Sequence, residues 1–391
     1  MAKRTVRDVP VAGRTVLVRC DFNVPLQGQR VEDDTRIRAH LPTIEYLIAQ
    51  RARIVLCSHL GRPKGRTPAL SLKPIAAVLQ AHLERPVQFC PDTIGPRARR
   101  AADSLLPGGI LLLENTRFYP EEERCDTAFA RALAGLAELF VNDAFSAAHR
   151  AHASTAGVAA FLPAVAGLLM EKEIAMLSRL LEPEHPFVAI VGGAKVSDKL
   201  SVLGSLLQRV DSLLIGGGMA NTFLAALGYR LGSSLVERGK LAEAEHVIAQ
   251  AKERGVNLEL PIDLVVGDYF LADPDHRTVD VGAVPDDWIA MDIGPMTAER
   301  FALALKGAKT IFWNGPLGVA EWPNFAVGTQ HVARAVAESR AFSVVGGGDS
   351  IAALNRLGMA DRVGHISTGG GASLEFIEGK TLPGIAALQD A

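Results

Sequence analysis

The chain has 391 residues, 48% of them hydrophobic and 21% charged, with a formal net charge of -2; that length exceeds one ordinary core and predicts two domains. Near-neutral charge and an aromatic content of 6% argue against a nucleic-acid surface, which calls for basic runs interleaved with aromatics. The charge is unevenly spread: residues 1–166 hold 22 Lys+Arg, 19 of them Arg, against 16 Asp+Glu, and the remainder holds 19 against 27.

The opening MAKRTVRDVP has no apolar core, so no secretory signal is expected, and a cytoplasmic location follows. In the first half, apolar runs predict strands at Thr15–Cys20, Arg53–Ser58, Val87–Cys90, Ile110–Glu114 and Leu139–Asn142. Between them, Arg36–Gln50, Leu72–Leu83 and Cys125–Ala137 read as helices, the βαβ rhythm of a parallel sheet covered on both faces. Cys20, Cys57, Cys90 and Cys125 form no CxxC pair and are expected as reduced, small, buried residues. The uncharged stretch Ala153–Met170 is broken by Ser154, Thr155, Gly157, Pro163 and Gly167, so no membrane span is expected.

Near the middle, GLLMEKEIAMLSRLLEPEHPFVAIVGGAKVSDK (167–199) organises the rest. Met170, Ile174, Leu177 and Leu181 recur at helical spacing, with Glu171, Lys172, Glu173 and Arg179 on the other face and Pro183 as the stop. Then an apolar run, Phe187–Val191, breaks into Gly192-Gly193 and a helix start carrying Lys195 and Lys199. Exposed N–H groups, a helix N-terminus and two lysines a turn apart suit a polyphosphate, although glycines at a strand end also serve simply as turns. The strand rhythm resumes at Ser212–Ile215, Leu264–Val266, Lys309–Trp313 and Phe342–Val345, and Ala272–Val284 reads as an extended loop. The expected fold is α/β: two doubly wound parallel-sheet domains joined by a central helix, with a hinge cleft between them.

Open parallel sheets bind ligands beyond the carboxyl ends of their strands. In the first half those ends carry Asp21 and Asn23 (DFNVP), His59 and Arg62 (SHLGRPKG), Arg117 (NTRF) and Arg150 (DAFSAAHR), while Arg36 opens the first helix. One arginine could be a solvated surface charge, but one at each successive strand end points to a small, multiply charged anion held by guanidinium forks. The second half offers glycine loops instead: IGGGMANTF, WNGPLGVAE, VGGGDS and STGGGAS. Glycines allow close backbone approach to a ribose or phosphate. Asp349, the carboxylate inside one such loop, suits Mg²⁺ beside phosphate oxygens, and an N-cap role for it is the plainer alternative.

No GxxxxGK[ST], GxGxxG after a strand, HExxH or GxSxG occurs, and His149-x-x-His152 is weak evidence for a metal site. A nicotinamide-dependent dehydrogenase is therefore disfavoured. An arginine-lined anion site on one domain and a glycine-lined Mg-nucleotide site on the other fit phosphoryl transfer, in which charge on the moving group must be neutralised and water excluded. The alternative is a catalytically inactive two-domain nucleotide and anion-binding protein on the same scaffold.

RCDFNVP, SHLGRPKG, LLENTRFYPEE, NDAF, AHRAHAS, GLLMEKE, VGGAKVSDK, GGGMANTFL, DIGP, WNGPLGV, GGGDS and STGGGASLEFIEGK occur in one order along the chain. In these the chain closely resembles the phosphoglycerate kinase family over essentially its whole length. The resemblance implies reversible phosphoryl transfer between 1,3-bisphosphoglycerate and Mg-ADP, giving 3-phosphoglycerate and ATP, by a monomer that binds neither nucleic acid nor membrane. It implies that Asp21, Asn23, His59, Arg62, Arg117 and Arg150 hold the phosphoglycerate and that Arg36 is the catalytic arginine. Lys195 and Lys199, following Gly193, would track the nucleotide phosphates and the moving group. Asn314 falls in the nucleotide loop, Glu321 resembles the ribose-binding acid, and Gly347, Gly348, Asp349 and Ser350 resemble the phosphate and Mg²⁺ end. The implied domains are 1–166 with a returning tail 380–391, a connecting helix and hinge 167–185, and a nucleotide domain 186–379. Ser146-Ala147 stands where many family members have Gly-Thr, and Ala320 where many have Phe; effects on substrate affinity are expected at both.

Overall fold

The computed structural model describes residues 3–391; the first two residues of the expected segment 1–166 lie outside it. The chain divides into two compact units, one running to Ala175 and including Thr381–Ala391, the other Met176–Lys380.

The first unit is built on six parallel strands: β1 (Thr15–Arg19), β2 (Arg53–Cys57), β3 (Val87–Cys90), β4 (Ile110–Leu113), β5 (Leu139–Asn142) and β6 (Ala164–Ala166), in the spatial order β3-β4-β2-β1-β5-β6. The central strands read as nearly unbroken apolar runs because both faces are covered. Val16, Val18, Ile54, Leu56, Leu112 and Val141 face helices α1 (Thr35–Ala49) and α2 (Lys73–Leu83), which contribute Ile37, Ile44, Leu47, Ile75 and Leu79 to the same core. The alternate residues Leu17, Val55, Leu111 and Phe140 are buried on the opposite face. The chain leaves β1 toward β2 on one side and returns to β5 on the other, so strand order reverses at β1, where an open sheet leaves a crevice at its carboxyl edge. Three cysteines are buried as expected, whereas Cys125 is only half-buried. The last residues join this unit: Gln389 N–H donates to Ala164 O (3.0 Å), and Lys3 Nζ donates to Leu388 O (2.9 Å) and Asp390 Oδ1 (2.7 Å).

Helix α3 (Leu168–Ser178) begins and ends slightly earlier than the apolar spacing predicts, and the division between the units falls within it. Glu173, expected on its polar face, is fully buried.

The second unit has its own six-stranded parallel sheet, formed by β7 (Phe187–Val191), β8 (Ser212–Ile215), β9 (Asn257–Glu259), β13 (Thr310–Asn314), β14 (Phe342–Gly346) and β15 (His365–Ile366), in the order β9-β8-β7-β13-β14-β15. Val188, Ile190, Leu214, Ile311, Trp313 and Val345 form its core with residues of the covering helices. The run at Leu264–Val266 does not belong to this sheet. It lies in β10 (Asp263–Gly267), the middle of a separate antiparallel sheet with β11 (His276–Asp280) and β12 (Ile289–Ile293). The expected loop Ala272–Val284 thus contains a strand. Its residues HRTVD are largely exposed, so β11 is held by ladder bonds to β10 and carries no apolar alternation that would announce it.

Candidate functional site

In the first unit the chain leaves β1 and places Asp21 at the sheet's carboxyl edge, almost fully buried. Arg36, in the first turn of α1, donates from Nη1 to Asp21 Oδ2 (2.9 Å) and to Asn23 O (3.2 Å). Asn23 N–H donates to Asp21 Oδ1 (3.0 Å), and the Ser146 hydroxyl also donates to this carboxylate. The departure at Ser146 therefore adds a donor at the site. Asn23 Oδ1 in turn accepts from Gly61 N–H (2.9 Å), and Arg117 Nη1 donates to Gly61 O (2.8 Å), so the loops after β1, β2 and β4 are laced together. Arg117 Nε lies 3.1 Å from Glu123 Oε1, an ion pair without hydrogen-bond alignment. Arg62 is exposed and Arg150 half-buried, and neither guanidinium has a protein partner among the described residues.

Sequence reasoning missed the groups beneath this rim. Arg19, the last residue of β1, is fully buried; its Nε donates to Ser154 Oγ (2.8 Å), and its Nη2 donates to His59 Nδ1 (3.0 Å). The Ser154 hydroxyl in turn donates a hydrogen bond to the buried Glu122, which also accepts from the Ser154 N–H (2.9 Å). Because a guanidinium can only donate, His59 is the Nε2–H tautomer. Burial pushes the His59 pKa well below the usual imidazole range; Asp21 opposes this, and Arg19, Arg117 and Arg150 add to it. His59 is therefore a neutral donor. Burial pushes the Asp21 carboxyl up, but the neighbouring positive groups, Arg36 and Arg19 among them, and the Ser146 hydroxyl outweigh it and hold Asp21 ionised. The sequence signal for Arg19 was a charge ending an otherwise apolar strand, TVLVR.

In the second unit a cavity of ≈ 540 Å³ opens beside the glycine loops, lined by Gly193, Gly218, Met291, Leu317, Glu321 and Asp349 among others. The glycines divide into two kinds. A Cβ on Gly192 would lie 2.1 Å from Pro316 O, and one on Gly315 would lie 2.3 Å from Gly192 O, so the loops after β7 and β13 touch backbone to backbone. Gly193 (φ +128) and Gly348 have nothing within 4 Å of an added Cβ. Part of the glycine richness thus serves packing of loop on loop, and only part faces open space.

Lys199, just before helix α4 (Leu200–Leu206), donates to Asn314 Oδ1 at the end of β13. Burial pushes its pKa below the usual lysine range, with Asp198 opposing. Lys195 is exposed on the same segment, which Glu237 holds through the Ser197 hydroxyl (2.6 Å) and N–H (2.9 Å). Helix α5 (Gly348–Arg356) follows Gly347 (φ +90). Asp349 sits in its first turn, exposed, and makes no capping bond. Ser350 is fully buried, and its hydroxyl accepts from Gly315 N–H (2.9 Å). Glu321 is exposed at the cavity, and Ala320 is buried with its carbonyl accepting from Arg356. Among the described residues no group of three or more His, Cys, Asp or Glu is placed to hold a metal ion. A metal here would rest on few protein ligands, and the free Asp349 carboxylate beside an unobstructed glycine backbone fits one that shares its coordination with phosphate oxygens.

Fold and side chains define a class: a two-unit α/β protein with arginines gathered at the strand ends of one sheet and a glycine-bounded cavity at the strand ends of the other. The model of the phosphoglycerate kinase family matches residues 6–380. Phosphoglycerate kinases of Moorella thermoacetica and Pelotomaculum thermopropionicum are 58% and 55% identical to the chain, each over 100% of both sequences. Solved phosphoglycerate kinase structures from Coxiella burnetii (TM-score 0.89, 42% identity) and Pyrococcus horikoshii (TM-score 0.88, 36% identity) each cover 98% of both chains. The chain belongs to the phosphoglycerate kinase family.

Proposed function

We propose that the protein catalyses reversible phosphoryl transfer between 1,3-bisphosphoglycerate and Mg-ADP, giving 3-phosphoglycerate and ATP, as a monomer in the cytoplasm. The observation that carries this reading is full-length membership of the family, and the geometry supports it. In the ATP-forming direction a terminal ADP oxygen attacks the acyl-phosphate phosphorus, the bond from phosphorus to the carboxyl oxygen breaks, and the leaving group departs as a carboxylate. Both ends are already anionic, so no protein group need move a proton. The chain must instead supply oriented positive charge in a site shielded from water.

In the first unit, Arg62, Arg117 and Arg150 with neutral His59 and Asn23 would take the phosphoglycerate, and Arg36, braced on Asp21, would face the moving group. In the second unit, Gly193, Lys195 and Lys199 would follow the phosphates, Asn314 and Glu321 would orient the nucleotide and its ribose, and Gly347, Gly348 and Ser350 would shape the phosphate end. Asp349 would hold Mg²⁺, which supplies charge neutralisation across the phosphate oxygens when bound. Because the proposed substrate sites belong to different units, transfer requires a closing movement, and the segment 167–185 between the proposed domains 1–166 (with 380–391) and 186–379 is the proposed hinge. Among the described residues no helix is long and apolar enough to cross a membrane.

A coupled assay with 3-phosphoglycerate and Mg-ATP, following ADP, tests the reading. Turnover that needs both substrates and Mg²⁺ is expected. A folded protein that binds both and turns over neither would contradict it.

A further inference from the structure

Arg36, His40 and Thr43 lie on one face of α1, at i, i+4 and i+7. Arg36 grips the side chain of Asp21, and His40 grips its backbone: Asp21 N–H donates to His40 Nε2 at 2.8 Å. An amide can only donate, so Nε2 carries no proton. The proton is on Nδ1, which donates to Asp143 Oδ2 at 2.8 Å. His40 and Asp143 are 1% and 0% exposed, so no water competes for either bond. The Phe22 ring meets the imidazole edge-on at 5.6 Å, fixing its plane.

The other Asp143 oxygen accepts from Leu169 N–H (2.9 Å) in the first turn of α3, and Thr43 Oγ1 accepts from the preceding Leu168 N–H (2.9 Å). Gly167 makes this possible, since a Cβ there would lie 2.1 Å from Asp143 Oδ1. One stripe of α1 therefore connects the Asp21–Arg36 pair with N–H groups that open α3.

We infer that His40 is a positioning residue: it fixes the Asp21 backbone, and through Asp21 the guanidinium of Arg36, and through Asp143 it ties that setting to the first turn of α3. The imidazole acts as a neutral relay with one acceptor and one donor. Protonation of Nε2 would turn N–H against N–H and release Asp21. The kinetic consequence rests on the phosphotransferase reading, whereas the geometry does not.

The two ring nitrogens can be replaced separately. In His40→Asn the side-chain amide can still donate to Asp143 but does not reach the Asp21 N–H, and in His40→Gln the carbonyl can occupy the place of Nε2. His40→Asn is expected to lower kcat/KM for 3-phosphoglycerate on the order of tenfold, with KM for Mg-ATP unchanged, because a misplaced reacting group costs rate. His40→Gln is expected to restore most of that loss. A folded His40→Asn with wild-type kcat/KM, or equal losses in both variants, overturns the inference. In the wild type, ¹⁵N spectra of the labelled histidine at neutral pH are expected to show His40 protonated at Nδ1 alone. A proton on Nε2 overturns the inference even where the variants do not fold. Absence of wild-type turnover would instead strike the functional reading and leave this spectroscopic result to decide the geometry.

Discussion

The two units prepare their strand ends differently. In the first, the groups at the foot of the rim are pinned before any ligand arrives: Asp21 is held by Arg36, Ser146 and the Asn23 and His40 contacts, and His59 is held by Arg19, while only the outer Arg62 and Arg150 await a partner. In the second, the backbone is fixed by glycine-to-carbonyl contact, while Lys195, Asp349 and Glu321 are exposed. A buried charge must be paired or it is very costly, whereas an exposed one can wait in water for its partner. The first unit is therefore preorganised by its own side chains, and the second presents a rigid backbone cradle whose charges are to be gathered by the nucleotide.

The largest effect should come from breaking the pinned side. Arg36→Ala is expected to lower kcat by roughly 10²–10³-fold, the scale of removing one preorganised donor. Its side chain is 41% exposed, so the fold should survive, as a thermal melt beside the coupled assay will show. A well-folded variant with wild-type kcat would remove Arg36 from the chemistry.

Next comes the cradle. Gly192→Ala must displace the carbonyl of Pro316 and is expected to cost about 2–3 kcal/mol in urea unfolding, as overpacking does. Gly348→Ala meets nothing within 4 Å and should cost less than about 0.5 kcal/mol. Equal costs would mean that the glycines do not divide as described.

The pinned side should also be the acid-sensitive one. Burial pushes His152 down to about 4, with Arg117, Arg19, Arg150 and His149 adding. Its folded pKa lies below its unfolded value near 6.5, so the unfolded chain binds more protons between those values. Stability should hold above pH 6.5 and fall on the order of 2 kcal/mol as pH drops toward 4. His152→Gln should flatten that segment of the urea-midpoint profile, and an unchanged slope would place the acid sensitivity elsewhere.

The smallest effect is on the waiting side. Asp349→Asn is expected to raise KM for Mg-ATP about tenfold, shift the Mg²⁺ dependence to higher concentration and leave stability unaltered. Nucleotide titrations at several Mg²⁺ levels check this.

The difference between the units also explains what the sequence disclosed. The strands of both parallel sheets stood out because burial on both faces leaves runs such as TVLVR and FVAIV. The exposed β11 carried no such run, and β10 was assigned to the wrong sheet because apolarity does not encode pairing partner or direction. Rim residues such as Asp21 and Arg36 were legible from their places after strands. Arg19, Glu122, His40 and Asp143 were not, because they meet partners 32 to 135 positions away and only the fold joins them. The glycine loops were legible as loops, but their contact with one another was not.

The measurement that bears most directly on this account is amide hydrogen exchange with each ligand added separately. Mg-ADP is expected to slow exchange strongly at Ala194, Lys195 and 347–350, while the Gly193, Ser197 and Lys199 amides are already bonded to Pro316, Glu237 and Val196. In contrast, Asp21 and Asn23 should already be protected in the free protein and change little when 3-phosphoglycerate binds. Unprotected Asp21 and Asn23 amides that become protected only with 3-phosphoglycerate, or Ala194, Lys195 and 347–350 amides already protected without Mg-ADP, would contradict the division between a pinned site and a waiting one.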